Sequence, residues 1–95
     1  MKSLEFEWDE NKNNINKKKH QVSFEEAQTV FYDEYAVLFD DPDHSIDEER
    51  FLIIGYSDNN KVCIVSHCYR YNDKIRIISA RLATKNERRY YEENY

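Results

Sequence analysis

Lys61, His67, Arg70, Arg76, Arg81, Lys85 and Arg88 crowd the last third of a 95-residue chain. Guanidinium groups suit phosphate, because their planar fork donates two parallel hydrogen bonds and stays charged at any working pH. The formal net charge of −5 argues against a polyanion partner, but its distribution does not. Residues 21–60 carry net −10, whereas residues 61–89 carry net +6. A basic segment on an acidic chain makes a local field, and local fields decide where an anion docks.

Strand parity sorts these groups. On a strand over Lys61–Tyr69, Lys61, His67 and Tyr69 share a face. On the next, over Lys74–Leu82, Ser79 and Arg81 are expected with Ile75 and Ile77, and Arg76 with Ile78 and Ala80. Arg81 then opens onto a helix N-terminus, where free N–H groups also favour phosphate. Two readings of Arg81 stand side by side: a phosphate site, or an ion pair with Glu87 or Glu49. Arg70 lies between Tyr69 and Tyr71 and could stack on them. Lys85, Arg88 and Arg89 read as a solvated helix face or as steering charge. His67 reads as a packed histidine or a base. His20 reads as a helix-end residue and His44 as a surface residue of an acidic loop. Cys63-x4-Cys68 and three scattered histidines lack zinc spacing, and Asp40-Asp41-Pro42-Asp43 lacks the Gly and Glu of a calcium loop, so no metal or cofactor is expected. Neither a phosphate-binding Gly-rich loop nor a serine elbow is present.

These residues need a scaffold. Phe6-Glu7-Trp8 suits a short strand, and Asp9 an N-cap for a polar helix over Glu10–Lys19, held mainly by Trp8 and Ile15. Ser23-x-x-Glu26 is a capping box opening a second helix to about Tyr32. Ala36–Phe39 and Arg50–Tyr56 read as strands, the second apolar on both faces. Asp58-Asn59-Asn60 and Asn72-Asp73 supply the turns of a three-strand meander, since Asn and Asp tolerate positive φ. Thr84-x-x-Glu87 is a second capping box, opening a helix to about Glu93. The order β-α-α-β-β-β-β-α predicts an α+β fold: an antiparallel sheet with helices packed on one side.

Ninety-five residues make one domain, residues 1–95, with 40% hydrophobic and 15% aromatic content and a single Gly and Pro. An apolar run long enough for a membrane span or a secretory leader is absent, so a cytoplasmic chain is expected. Cys63 and Cys68, an odd offset apart on one strand, should face opposite ways and stay reduced.

Phe6-Glu7-Trp8-Asp9-Glu10-Asn11-Lys12, Lys19-His20-Gln21-Val22-Ser23-Phe24-Glu25-Glu26-Ala27, Glu49-Arg50-Phe51-Leu52-Ile53-Ile54-Gly55-Tyr56-Ser57 and the run from Ile75 to Arg88 together resemble the BrnT toxin family. The resemblance implies a RelE-like fold, endoribonuclease activity and growth arrest. It also implies neutralisation by a BrnA-type antitoxin in a hetero-oligomer, with two toxins and two antitoxins as one stoichiometry. DNA would be met only through that antitoxin. By position it points to Arg50, Arg70, Arg76 and Arg81, with Lys61 where relatives more often carry Arg and Gln21 where they commonly carry Gly. Metal-independent cleavage by the RNA 2′-OH then needs a cationic cradle plus a base and an acid. Arg70 and Arg81 are the expected cradle, with Lys61, Arg50, Arg76, Lys85 and Arg88 steering the strand. His67, Glu49 and Tyr90 are the candidates for proton transfer. The competing expectation is a weakly active or inactive module that binds an antitoxin or repressor.

Overall fold

A computed structural model describes residues 3–46 and 48–93; Met1, Lys2, Asp47, Asn94 and Tyr95 lie outside it. Strands β1 (Phe6–Glu7), β2 (Val37–Asp40), β3 (Phe51–Tyr56), β4 (Val62–Tyr69) and β5 (Ile75–Leu82) form one sheet in the order β1-β5-β4-β3-β2. Helices α1 (Glu10–His20), α2 (Phe24–Thr29) and α3 (Lys85–Glu93) complete the expected element order. The α+β class holds, with one difference in the sheet: β1 pairs with β5 in parallel, which makes the sheet mixed.

The Thr84 capping box closes in both directions and the Ser23 box in one, because the Glu26 carboxylate accepts from Ser57 Oγ instead. Ser23 Oγ accepts from Glu26 N at 3.0 Å. Thr84 N donates to Glu87 Oε1 at 2.8 Å while Glu87 N donates back to Thr84 Oγ1 at 3.2 Å. Asn60 and Asp73 adopt φ near 60°, as their turns require. Gln21 also sits at φ 60°, in the left-handed conformation that ends α1.

The helices divide between the two faces of the sheet, unlike the one-sided packing expected. α1 and α2 cover a core of Val22, Phe24, Ala27, Val30, Ile53, Cys63, Val65, Ile77 and Ala80. Tyr91 of α3 packs on the other face with Ile54, Val62 and Ile64. This follows from β3 being apolar on both faces, so that each face must be covered. A nine-residue helix is about 13 Å long, roughly half the ~26 Å of an eight-residue strand, so α3 leaves part of that second face bare.

α1 is docked by amides. Ile15 is 63% exposed, while Asn13 and Asn16 are buried. Asn13 Oδ1 accepts from Phe24 N, and Asn16 bonds both the N–H and the carbonyl of Ala80. Gly55 is required at its position, because an added Cβ would lie 2.9 Å from Asp33 Oδ2. That carboxylate accepts from Tyr56 N and from the Tyr91 hydroxyl, tying α3 to β3. Burial would raise the Asp33 pKa, but these hydrogen bonds outweigh it and hold it below the usual value. Cys63 and Cys68 are free and buried; burial, aided by Glu26, pushes the Cys63 thiol up to about 11.

Candidate functional site

The pairing of β4 with β5 runs in register from Cys63↔Leu82 to Ser66↔Ser79 and then jumps to His67↔Ile77. Ile78 is therefore a bulge residue, and it reverses the parity expected for β5. Ala80 joins Ile77 in the core under α1 and α2, while Arg81 turns to the other face, opposite Ile64. The sheet's half-bare face thus carries Leu52, Ser66 and Ser79 in one row and Ile54, Ile64 and Arg81 in the next.

A hollow of about 280 Å³ lies on this face. Arg50, Arg81, His20, His44, Asp41, Ser66 and Ser79 are among the residues that line it. They arrive from α1, the 41–50 loop, β4 and β5. Asp41 N bonds Arg50 O at 2.9 Å, closing the loop between β2 and β3 at its base. Ser45 Oγ donates to Asp41 O and accepts from Arg50 N, bracing the loop from inside. Asn16 fixes α1 to the free edge of β5, and one turn later His20 reaches the groove.

The two arginines are held differently. Arg81 donates Nη1 and Nη2 to the two oxygens of Glu87 at 2.8 and 2.9 Å, and Nη1 also reaches Leu82 O. The ion-pair reading of Arg81 is therefore realised. The pair drives Glu87 down to about 2 and raises Arg81. A guanidinium has five N–H donors, so the side-on fork of Nε and the second Nη2 hydrogen stays available to a phosphate. Arg50 has a buried Nε with no hydrogen-bond partner among the described residues.

The remaining expected site residues lie elsewhere. Arg70 is beside Tyr69, Tyr71 and Glu48, paired with Glu48 at 3.5 Å at the far end of β4. Arg76 pairs with Glu7, its register partner on β1, at 2.8 Å. Lys61 approaches Glu26 at 3.7 Å beside α2. Lys85 and Arg88 line an outer hollow of α3 with Arg89, Glu92 and Glu93. Glu49 is exposed at the loop end and lines none of these hollows.

His67 is fully buried on the α1/α2 face, edge-on to Phe31 and Tyr69 and against Phe51. Its Nδ1 lies 3.2 Å from Val65 O, and Nε2 has no partner. The sheet separates it from the groove, so it reaches no substrate there. Burial lowers its pKa from 6.5 despite the Val65 carbonyl. The folded state therefore resists a proton that the unfolded chain accepts. Stability is unaffected above about pH 6.5 and falls as pH drops below it. Denaturant midpoints measured from pH 8 to 5 should show a decline that H67F lacks.

Sequence reasoning passed over His20, Asp41 and His44. A usable signal was Asp41-Pro42-Asp43-His44: a proline-started single 3₁₀ turn brings residues three apart into eclipse. Among the described residues, no three His, Cys, Asp or Glu side chains gather as a metal-ligand group.

Fold and groove together define a small α+β domain with an arginine-lined hollow on one sheet face. A family model described as "Ribonuclease toxin, BrnT, of type II toxin-antitoxin system" matches residues 8–87. The chain belongs to this family of ribonuclease toxins. The crystal structure of the Brucella abortus ribonuclease toxin, BrnT, is similar to it in fold, with a TM-score of 0.68 at 22% identity, over 87% of this chain and 100% of that one. A search of curated proteins gives no match.

Proposed function

We propose that this chain is a metal-independent endoribonuclease toxin that cuts RNA in the groove bounded by Arg50 and Arg81. The observation that carries this reading is that Arg50, from the base of the 41–50 loop, and Arg81, from β5, both line one open hollow of about 280 Å³. Such a hollow accommodates a phosphate group, and preorganised donors around a developing phosphorane are the largest electrostatic aid a protein can give. The RNA 2′-OH attacks the adjacent phosphorus and the 5′-oxygen leaves. A second hollow, of about 350 Å³ and mostly apolar, adjoins the first through Leu52 and Ile64. Phe39 and Tyr90 wall it, and an unstacked base beside the bound phosphate would pack there.

The family's type II toxin–antitoxin membership implies an antitoxin partner. We assign that role to a BrnA-type protein in a cytoplasmic hetero-oligomer. No helix among the described residues is long and apolar enough to cross a membrane. β2 is the outer strand of the sheet, with Leu38 half-exposed on it and Tyr32 and Tyr35 exposed nearby in sequence. A free edge of this kind suits an added strand or helix of a partner.

One observation favours the second reading, an interaction module with little activity. Lys61, Arg70, Arg76 and Arg81 each already hold a carboxylate, which reduces the field available to RNA. Incubating the purified chain with RNA in excess EDTA separates the two. Endonucleolytic products are expected with the chelator present. Intact RNA in EDTA with cleavage restored by a divalent ion would overturn the metal-independent mechanism. Intact RNA under both conditions would favour the interaction module.

A further inference from the structure

We infer that His44, oriented by Asp41, is the general base of this groove and that His20 is the acid facing it. This rests on the ribonuclease reading above. The His44 Nδ1 lies 3.1 Å from both Asp41 Oδ1 and Oδ2. A carboxylate only accepts hydrogen bonds, so Nδ1 carries the proton and the lone pair sits on Nε2. Asp41 is buried while the His44 side chain is 66% exposed, so the orienting group is fixed and the imidazole is accessible. The orienting carboxylate is itself well anchored. Its backbone N–H is held by Arg50 O, and its carbonyl accepts from Ser45 Oγ and His44 N.

His20 enters the same hollow from the opposite side. It follows Asn16 by one turn at the β5 edge, whereas His44 stands at the β3 side beside Arg50. Strands β5, β4 and β3 run between those sides. A phosphate bound in the hollow would lie between the two imidazoles, the opposed arrangement an in-line displacement needs. In the step assigned here, His44 Nε2 removes the 2′-hydroxyl proton as the 2′-oxygen bonds to phosphorus. The bond from phosphorus to the 5′-oxygen breaks, and a His20 imidazolium gives its proton to that oxygen. The products are a 2′,3′-cyclic phosphate and a free 5′-hydroxyl, and solvent exchange resets both rings. Arg50 and Arg81 hold the phosphoryl oxygens throughout. The charged and titratable groups around His44 are Asp41 and Asp43 from its own turn, Glu48 and Arg50 from the loop end, His20 from α1 and Arg81 from β5.

The test is single-turnover cleavage of an RNA oligonucleotide in EDTA across pH 5–9 for wild type, H44Q, H20Q and D41N. Binding of a 2′-deoxy-substituted oligonucleotide, which cannot be cut, is measured alongside. Wild type should give a bell-shaped profile. H44Q should lose about 10²–10⁴-fold in rate together with the acid limb, and H20Q the alkaline limb, by the usual worth of proton transfer. D41N, a change at a positioning residue, should displace the acid limb. Binding of the uncleavable probe should fall far less than the rate in all three. A ¹⁵N spectrum should find neutral His44 protonated at Nδ1. H44Q cutting as fast as wild type, or losing rate only as much as binding, would overturn the proposal and leave the arginine groove standing. Wild type that leaves RNA intact would remove the ribonuclease reading and this proposal together.

Discussion

Arg81→Ala should cut RNA about 10²–10³-fold more slowly than wild type, by analogy with removal of one preorganised oxyanion donor. Arg50→Ala should behave similarly, because the two guanidinium groups bound the same hollow. Arg81→Lys distinguishes the fork from the charge. It retains a cation but loses the side-on donor pair, so its rate should fall between the other two. Folding must be followed in parallel, since Arg81→Ala also leaves Glu87 without its partner. The Glu87 shift from 4.5 to about 2 signals real stabilisation by the pair above about pH 4.5, lost as pH falls towards 2. Both side chains are about a third exposed or more, and discounting for solvent screening leaves about 1 kcal/mol. A loss of that size leaves most of the protein folded at 25 °C, so rates measured there report on the groove. Arg81→Ala with wild-type single-turnover rates would remove Arg81 from the cradle.

Asn16→Leu should lower stability by roughly 3 kcal/mol, or roughly 12–24 °C in Tm for a domain of this size. The side chain amide bonds Val22 O and Ala80 O at 2.8 Å and accepts from Ala80 N at 3.2 Å. Leucine is of similar size but leaves three buried backbone groups without partners, each costing about 1–3 kcal/mol before relaxation. The amide acts as a one-residue strand on the stretch of β5 that the two-residue β1 fails to reach. The comparison is Ile15→Ala, the apolar residue of the same helix. With Ile15 63% exposed, its removal should change stability by no more than about 0.5 kcal/mol. Thermal melts of the two variants give the answer directly, and equal losses would show that α1 is held by apolar contact after all. Asn16→Leu should also slow cleavage in the folded fraction, because the end of α1 carries His20.

Helix starts were readable, because Asp9, Ser23 and Thr84 act on N–H groups within a few residues of themselves. The meander was readable from its turns for the same reason. α1 was readable as a helix but not as a docked one. An asparagine looks the same in sequence whether solvated or bonded to a strand sixty-four residues away.

The chain's order of residues alone determined its element order, its helix N-caps, its turns and its wealth of arginine near the C-terminal end. Those features depend on neighbours along the backbone. The tertiary structure decided which cations share a groove. A single bulge at Ile78 sends Arg81 to the opposite face from Ile77, since strand side chains alternate with period two and one extra residue reverses every later one. Ion pairing then drew Arg70, Arg76 and Lys61 to separate carboxylates, and one 3₁₀ turn set Asp41 against His44. Such outcomes turn on distances between segments far apart in the chain, which only packing fixes.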